Sequence, residues 1–499
     1  MNEFLRVVPP FLFFGLLALH TAIAFSIPLI PYGTDSAWYY MNVVFVETGQ
    51  YIHESIYRFS EPSQLYPFFG YSLLLYASKK LAAITGLTFA FLVKLLQIIM
   101  YDLTAILTVK IVFDLTRRTA VSYACGLFFL LYYSYFTFVY VVMSEIYAVF
   151  LLVLFGYLFV RSTRTLSPTS VAPLCVVGGC LTLVKPALLP AVLCLVALLV
   201  VKSCRAGAWR PLLALPLLIL FPVMQAFFSK AYYDNYAIKT GAGWNLWNRV
   251  IWHDRLVPIR SEELSRLRRI YHEHGREMSL GFWWDVARDL SEFGYTERET
   301  QEICWRVAID GIREFPLGYL SGVLSSSYRS FNDPVDAENV HDTQERYRSR
   351  IRNFIGDRQH LPLANALAPQ PVNRLGQAYL LEFHDRQARR FNRFAGILHN
   401  PVSFVLFSVC GLYCMFEAVR RRFESCVEPL GFWVIASSLV VASNMAEPGK
   451  DRYTLPAVIF AFMSFVLAMN HFIEGRLGAG RRGHPPKLEG TPREPSPAR

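Results

Sequence analysis

The 499-residue chain is poor in charge: charged residues make up 17% of it, against about 25% in an ordinary soluble domain. Its nine cysteines include no CxxC pair and lie mostly in apolar runs, which argues against a disulfide framework or a zinc site. No P-loop and no nucleophile-elbow motif is present, which argues against nucleotide-driven transport and against a serine hydrolase.

Hydrophobic residues are abundant instead, at 54% of the chain, and they cluster in runs of about 20, the length that a membrane helix requires. This composition predicts a polytopic integral membrane protein. The formal net charge of +11 lies mostly in short loops beside apolar runs and in the tail, where basic residues orient helices and contact anionic lipids. No basic, aromatic-interleaved soluble module is present, so we expect no nucleic-acid partner.

The apolar runs predict a mainly α-helical membrane bundle of about ten transmembrane helices. The predicted crossings are 7–30, 87–113, 120–142, 144–160, 170–184, 186–201, 211–231, 402–418, 430–446 and 453–471. With the N-terminus in the cytoplasm, the five basic clusters between these runs all fall on the cytoplasmic side, as the positive-inside rule requires. A crossing at 65–80 would reverse that bias, so we interpret this stretch as an interfacial helix on the outer face.

The remaining segments define the domain organisation. Residues 1–231 are the N-terminal catalytic core with a first outer loop at 31–86, 232–401 form an extracytoplasmic insertion, and 402–473 hold the last helices. The segment 474–499, rich in Gly, Pro and Arg, is predicted to be a disordered basic cytoplasmic tail. Lys185-Pro186 is either a turn between two spans or a kink in one long helix, and the sequence leaves both open.

Ionisable residues recur at the predicted outer ends of the helices, where a carboxylate can stay ionised and still face a lipid-borne substrate. Asp35 stands in the motif GTDSAWYY, directly after the first apolar run. Glu145 occupies the hairpin between the third and fourth spans, and Lys185 marks the break between the fifth and sixth. Lys450 and Arg452 lie in the hairpin before the last span. Acids and cations therefore share one predicted membrane depth.

Each of these residues also has an ordinary structural explanation. Asp35 is a favourable N-terminal cap for the helix that follows it, and Glu145 would be a carboxylate exposed to water at the outer surface. Lys185 and Arg452 can extend from helix ends to lipid headgroups. Aromatic side chains near position 35 are typical of the aromatic belt at a membrane surface. These are Tyr39, Tyr40 and Tyr66.

The order of the motifs resembles the polyprenyl-phosphate-dependent GT-C glycosyltransferases, and is most similar to their protein O-mannosyltransferase and aminoarabinose transferase branch. The likeness is carried, in chain order, by GTDSAWYY, by LYP in the first outer loop, by SE at 144–145, by VKP at 184–186 and by DRYTLP near the C-terminus. It covers the membrane core to about residue 231 and the last three spans. The large insertion before those spans departs from the pattern of that branch and leaves the acceptor open.

The resemblance implies a GT-C-like fold and an inverting glycosyltransferase that moves a sugar from a polyprenyl-phosphate donor to a hydroxyl group of a lipid, glycan or protein. Because the phosphate is already a good leaving group, the enzyme must mainly deprotonate the acceptor and stabilise the departing phosphate. Asp35 is then the candidate general base, and Glu145 would orient the acceptor, bind a metal with Asp35 or hold a cation. The phosphate contacts would be Lys185, Arg452 and Lys450, and the residues lining the sugar or acceptor site Tyr39, Tyr40 and Tyr66.

The expected partners are the lipid-linked sugar donor, the acceptor and membrane lipids, and the expected location is a bacterial inner membrane with the active site facing outward. The sequence identifies no certain cofactor and leaves a divalent metal ion open. His53-Glu54, His253-Asp254, His272 and His274 could supply ligands, although histidines in polar loops are usually solvated.

A transporter of lipid-linked sugars would instead place charges at mid-bilayer. The concentration of polar motifs at the outer helix ends disfavours such a transporter. For Lys94 and Asp102 in the second span, a structural role inside the bundle is preferred to a proton relay. The third hypothesis, after a glycosyltransferase and a transporter, is a non-catalytic membrane assembly partner.

Overall fold

The computed structural model describes residues 4–27, 29–31, 33–48, 69–233, 242–332, 401–419, 423–446 and 451–481. Within these ranges the chain is mainly helical, with 18 α-helices and one two-stranded sheet. Helices long and apolar enough to cross a membrane cover Val8–Ser26, Phe89–Thr116, Glu145–Thr165, Pro186–Arg205 and Arg210–Phe227. Five further apolar helices are shorter. This architecture is consistent with a helical membrane protein, while the count of ten crossings stays a prediction.

The N-terminal half builds most of the bundle. Its helices are α1 (Phe4–Ser26), α2 (Gly33–Thr48), α3 (Phe69–Thr85), α4 (Phe89–Thr116), α5 (Thr119–Leu131), α6 (Tyr133–Thr137), α7 (Glu145–Thr165), α8 (Pro168–Val184), α9 (Leu189–Arg205) and α10 (Pro216–Tyr233). Strand β1 (Ile30–Pro31) pairs in parallel with β2 (Val141–Val142).

The C-terminal half contains the insertion and the last helices of the bundle. Its helices are α11 (Ala242–Trp247), α12 (Glu262–Glu273), α13 (Trp283–Glu292), α14 (Glu297–Glu314), α15 (Pro316–Asn332), α16 (Pro401–Glu417), α17 (Phe423–Ala446) and α18 (Asp451–Arg481). A π-helical turn, Asn248–His253, directly follows α11.

One end of the bundle is marked by a buried glutamate. Thr163 Oγ1, near the end of α7, donates a 3.0 Å hydrogen bond to Glu428 Oε1 in α17. Lys202 Nζ, near the end of α9, lies 3.8 Å from the same oxygen. Ser162 Oγ donates to the backbone oxygen of Ser170, so α8 also starts here. We call this the lower end of the bundle, and the opposite end the upper end.

The chain reverses direction between α8 and α9. Because α8 starts and α9 finishes at the lower end, the link between them, Lys185 and the 3-10 turn Pro186–Leu188, lies at the upper end. Pro186 has no amide hydrogen with which to continue α8, so the helix ends before it. The question that the sequence left open is therefore answered: residues 170–201 belong to two helices that run in opposite directions.

Helix α3 has both of its ends near the upper end. Gly70, in its first turn, lies directly against Val184 at the end of α8. Four residues after α3 ends, α4 begins, and its Lys94 Nζ donates to the backbone oxygens of Phe25 and Ile27 at the end of α1. An α3 that starts and finishes at one end agrees with the prediction of a helix over 65–80 that does not cross the bundle.

The predicted helical span over 120–142 is wrong in its second half. Helix α5 ends at Leu131 after 13 residues, and the short α6 and strand β2 follow. Gln97 Nε2 of α4 donates to the backbone oxygens of Phe138 and Val141, at 3.0 and 2.8 Å, and so satisfies acceptors that a helix would have used internally. Apolar composition marks this stretch as buried, but such tertiary hydrogen bonds, invisible in the sequence, make it non-helical.

The described part of the insertion has a hydrophobic core of its own, separate from that of the bundle. It includes Trp247, Val250, Leu267, Val286 and Val307. The recurrence of Ile303, Val307 and Ile312 at helical intervals predicts a helix over 297–315. The structure confirms it as α14, which begins with a reciprocal capping box between Thr296 and Glu299. Tyr319 Oη of α15 donates a 3.0 Å hydrogen bond to the backbone oxygen of Met445, at the upper end of α17. The insertion therefore sits on the upper end of the bundle.

The last helix extends beyond its predicted end. Helix α18 continues to Arg481, so residues 474–481, predicted as part of the disordered tail, are helical. Extending an existing helix needs no new nucleus, which explains how it continues into a glycine-containing segment. Residues 482–499 lie outside the described part of the chain.

Candidate active site

Strand pairing and side-chain hydrogen bonds join the start of α2 to the start of α7. Strand β1, just before α2, pairs with β2, just before α7. Ser36 Oγ donates a 2.6 Å hydrogen bond to the backbone oxygen of Val142, and Tyr39 Oη shares a 2.8 Å hydrogen bond with Ser144 Oγ. Asp35 belongs to the first turn of α2, adjacent to Ser36, so its backbone lies at this junction. The side chain of Asp35 lies outside the described part of the structure.

Glu145 and Lys185 form a buried ion pair at the same junction. Lys185 Nζ donates to Glu145 Oε1 at 3.3 Å, and the side chains are 3% and 2% exposed, respectively. Glu145 Oε2 is buried and has no hydrogen-bond partner among the described residues. Of the roles considered for Glu145, holding a cation of the site is the one that this geometry supports. Lys185 does not extend to the surface as a headgroup contact would.

Helix ends explain how two charges are tolerated here. Glu145 is the first residue of α7, where the unpaired backbone amides and the helix dipole favour a negative charge. Lys185 is the C-terminal cap of α8, where the free carbonyl groups and the dipole favour a positive charge. The two charges therefore stabilise each other and the helix ends that carry them.

Tyr71 of α3 is a member of the site that the sequence analysis did not identify. It is fully buried, its ring lies edge-on to that of Tyr39 with centroids 4.8 Å apart, and the charge of Glu145 acts on its phenol group. Gly70 brings it there, because a Cβ at that position would lie 2.8 Å from the backbone nitrogen of Val184. A glycine in the first turn of an interfacial helix was the available sequence signal, since it marks a close backbone approach.

The other predicted tyrosines have different positions. Tyr40 is buried, so it is not a surface aromatic belt residue, and it packs on Phe89 at 5.8 Å with Lys79 Nζ 5.5 Å from its ring centroid. It therefore contacts α3 and α4. Tyr66 lies outside the described residues.

The two C-terminal cations are located only in part. Arg452 is the second residue of α18, whose start follows the upper end of α17, and its side chain lies outside the described part. Lys450 lies outside the described residues altogether. Their contact with the donor phosphate stays a prediction.

The two charged residues of α4 have structural partners. Lys94 donates to two backbone carbonyl groups, both at 3.1 Å, that end α1. Asp102 accepts hydrogen bonds from Thr21 Oγ1 at 3.1 and 3.2 Å. Each charge thus helps to join α4 to α1, which supports the structural role preferred from the sequence.

Few side chains in the described part of the chain are placed to bind a metal ion. There, no three His, Cys, Asp or Glu side chains are grouped to hold an ion. Asp35, whose side chain is not described, is therefore not tested as a ligand. No family model, no curated protein and no solved structure matches the chain.

Proposed function

We propose that this chain is an inverting membrane glycosyltransferase that moves a sugar from a polyprenyl-phosphate donor to an acceptor hydroxyl group on the non-cytoplasmic face. The observation that carries the proposal is the buried pair of Glu145 and Lys185, which lies beside the start of α2 where hydrogen bonds join it to the start of α7. A buried ion pair contributes little net stability, because desolvation offsets the attraction between the charges. Desolvated charges placed together at helix ends are instead typical of functional sites.

The upper end is suited to a lipid-borne substrate. In the proposed topology it is the non-cytoplasmic end, and α2 and α3 lie there as interfacial helices. An acceptor from the aqueous side and a prenyl chain from the bilayer would meet at this depth. The acceptor is a lipid, a glycan or a protein, and a bacterial inner membrane is the proposed location.

The proposed reaction uses one base and a cluster of cations. Asp35 takes the proton of the acceptor hydroxyl, whose oxygen attacks the anomeric carbon from the face opposite the phosphate. The bond between that carbon and the phosphate oxygen breaks, which inverts the configuration and releases a prenyl phosphate. Lys185, held by Glu145, and Arg452 at the start of α18 bind the negative charge that develops on the phosphate.

The test is transfer by purified protein in lipid vesicles. A panel of polyprenyl-phosphate sugars is supplied with a mixture of acceptors, and the loss of each donor is followed by mass spectrometry. Asp35→Asn keeps the size of the side chain but removes the base, so we expect transfer to be abolished. Donor binding and thermal stability should be retained.

Asp114→Asn is the matched control, since this carboxylate lies in the last turn of α4, paired with Lys110 at 2.7 Å. It should leave transfer unchanged. Full turnover by Asp35→Asn would remove the proposed base, and no loss of any donor with the wild-type protein would refute the proposed function.

A further inference from the structure

Helix α15 exposes its apolar side chains and packs small and polar ones against the protein, the reverse of an ordinary surface helix. Its exposed side carries Leu317, Leu320, Leu324 and Tyr328, which are 79%, 52%, 56% and 43% exposed. At 3.6 residues per turn these four positions fall within an arc of about 80°. We call this set the leucine stripe.

The opposite face of α15, which packs on protein, is small and polar. Gly322 lies against Asp254 and Arg249, and Ser326 Oγ accepts a 2.8 Å hydrogen bond from Arg249 Nη1. Val323 is the buried apolar residue of this face. The apolar residues of α15 are thus mostly turned away from the protein core.

A neighbouring helix of the same insertion shows the usual arrangement. In α12 the buried positions are Leu264, Leu267 and Ile270, and the exposed ones include Arg268 and Arg269. Water favours that arrangement, because it leaves apolar side chains inside. The leucine stripe therefore implies that the surroundings of α15 are not simply water.

The position of α15 identifies what surrounds the leucine stripe. The helix packs against α16 and against the upper end of α17, where Tyr319 contacts Met445. Beside it, α16 has an exposed apolar face of the kind that contacts lipid in a membrane bundle. This face consists of Val405, Leu406, Val409 and Leu412.

The residues at the two ends of the leucine stripe are of the types that contact lipid headgroups. Arg313 precedes α15, Arg329 follows Tyr328 directly, and both arginines are exposed. Cationic and aromatic side chains that flank leucines are characteristic of helices lying in a membrane interface.

We propose that α15 is an interfacial helix that inserts the leucine stripe into the acyl-chain region of the bilayer and so seats the insertion on the membrane. The occupant of this surface is lipid, not a protein. The proposal rests on contacts outside the candidate active site and is independent of the reaction catalysed there.

The test uses the wild-type protein in phosphatidylethanolamine and phosphatidylglycerol vesicles that contain a phospholipid with a photoactivatable diazirine in its acyl chain. After irradiation and proteolysis, mass spectrometry locates the lipid adducts. We expect adducts on peptides that contain residues 316–332 and none on peptides that contain 262–273. Absence of adducts on α15, while α16 is labelled, would overturn the proposal.

Variants with benzoylphenylalanine at position 320 or 324, and at 269 as the matched exposed control, identify the occupant directly. Lipid adducts at 320 and 324, absent at 269, support the proposal. A crosslink from 320 or 324 to residues 333–400 or to a second copy of the chain, in place of lipid, would overturn it. The wild-type measurement decides the matter even if a substituted variant fails to fold.

Discussion

Two buried ion pairs, one in the bundle and one in the insertion, differ in how many oxygens of the carboxylate lie close to a basic side chain. In the insertion, Asp254 Oδ2 lies 2.9 Å from Arg249 Nε, and its Oδ1 lies 3.0 Å from His253 Nδ1. In the bundle, Glu145 contacts Lys185 through one oxygen, while the other has no hydrogen-bond partner among the described residues. Both oxygens of the Asp254 carboxylate therefore lie close to a basic side chain, although Oδ2 forms no hydrogen bond among the described residues. Only one oxygen of Glu145 lies within ion-pair distance of a described cation.

The surroundings of the two pairs explain the difference. Gly322 of α15 closes over Arg249 and Asp254, so nothing larger than hydrogen fits above them. Burial lowers the pKa of Arg249, and the charge of Asp254 opposes that effect. This pair lies where α15 and the π-helical turn meet, and it joins elements of the insertion. The Glu145 pair lies where α2, α3, α7 and α8 meet at the upper end, at the place of the proposed reaction.

The largest expected effect comes from removing one charge of either pair. Arg249→Met leaves Asp254 buried beside the partly exposed His253, and Lys185→Met leaves Glu145 buried without its cation. Each should lower the free energy of unfolding by about 3–5 kcal/mol, because an uncompensated charge stays desolvated. Chemical unfolding of the purified proteins in detergent measures both losses.

Double variants then separate structure from function. Arg249→Met with Asp254→Asn should recover most of the lost stability and normal sugar transfer. Lys185→Met with Glu145→Gln should recover stability but not transfer. If the second double variant transfers sugar like the wild type, the contrast between the pairs fails and both are structural.

A smaller effect is expected at the glycines that close each site. A Cβ at residue 322 would lie 2.5 Å from Asp254 Oδ2, and one at residue 70 would lie 2.8 Å from the backbone nitrogen of Val184. Gly322→Ala and Gly70→Ala should each cost about 1–3 kcal/mol through overpacking. Gly70→Ala should also slow transfer, because it moves Tyr71 relative to Glu145.

The control is Gly15→Ala in α1, where a Cβ would meet nothing within 4 Å. Thermal unfolding and donor consumption are measured for all three variants. Equal loss of transfer in Gly322→Ala and Gly70→Ala, beyond their loss of stability, would contradict the assignment of the site to the bundle.

The smallest expected effect is at the solvent-facing capping box of α14. Thr296→Ala removes the side-chain acceptor for the Glu299 amide and should cost about 1 kcal/mol of stability without changing transfer. Hydrogen bonds from Thr296 hold the pKa of Glu299 below its ordinary value. That part of the stability is present at neutral pH and is lost as pH falls through the lowered pKa. The destabilisation by Thr296→Ala, followed by thermal unfolding against pH, should therefore shrink in acid, whereas Thr296→Ser should behave like the wild type throughout.

Much of the helical architecture was predictable because apolar runs and helix-ending residues are local signals. Pro186 ends α8, the spacing of Ile303 and Val307 predicts α14, and the long apolar runs predict the candidate spans. The break after Leu131 was missed because a buried non-helical segment has the same composition as a buried helix. The leucine stripe was also missed, since leucines at helical spacing look the same whether they face a core or a membrane.

The sequence alone determined that Asp35, Glu145 and Lys185 stand at the boundaries of apolar segments, because charges avoid the interior of a hydrocarbon layer. Only the tertiary structure decided that Glu145 pairs with Lys185, that Tyr71 joins them and that Tyr40 packs on Phe89 instead. Such pairings depend on which helix ends meet in space, and hydrogen bonds between distant segments, such as those of Ser36 and Tyr39, set that meeting. They connect residues more than a hundred positions apart, so no local pattern encodes them.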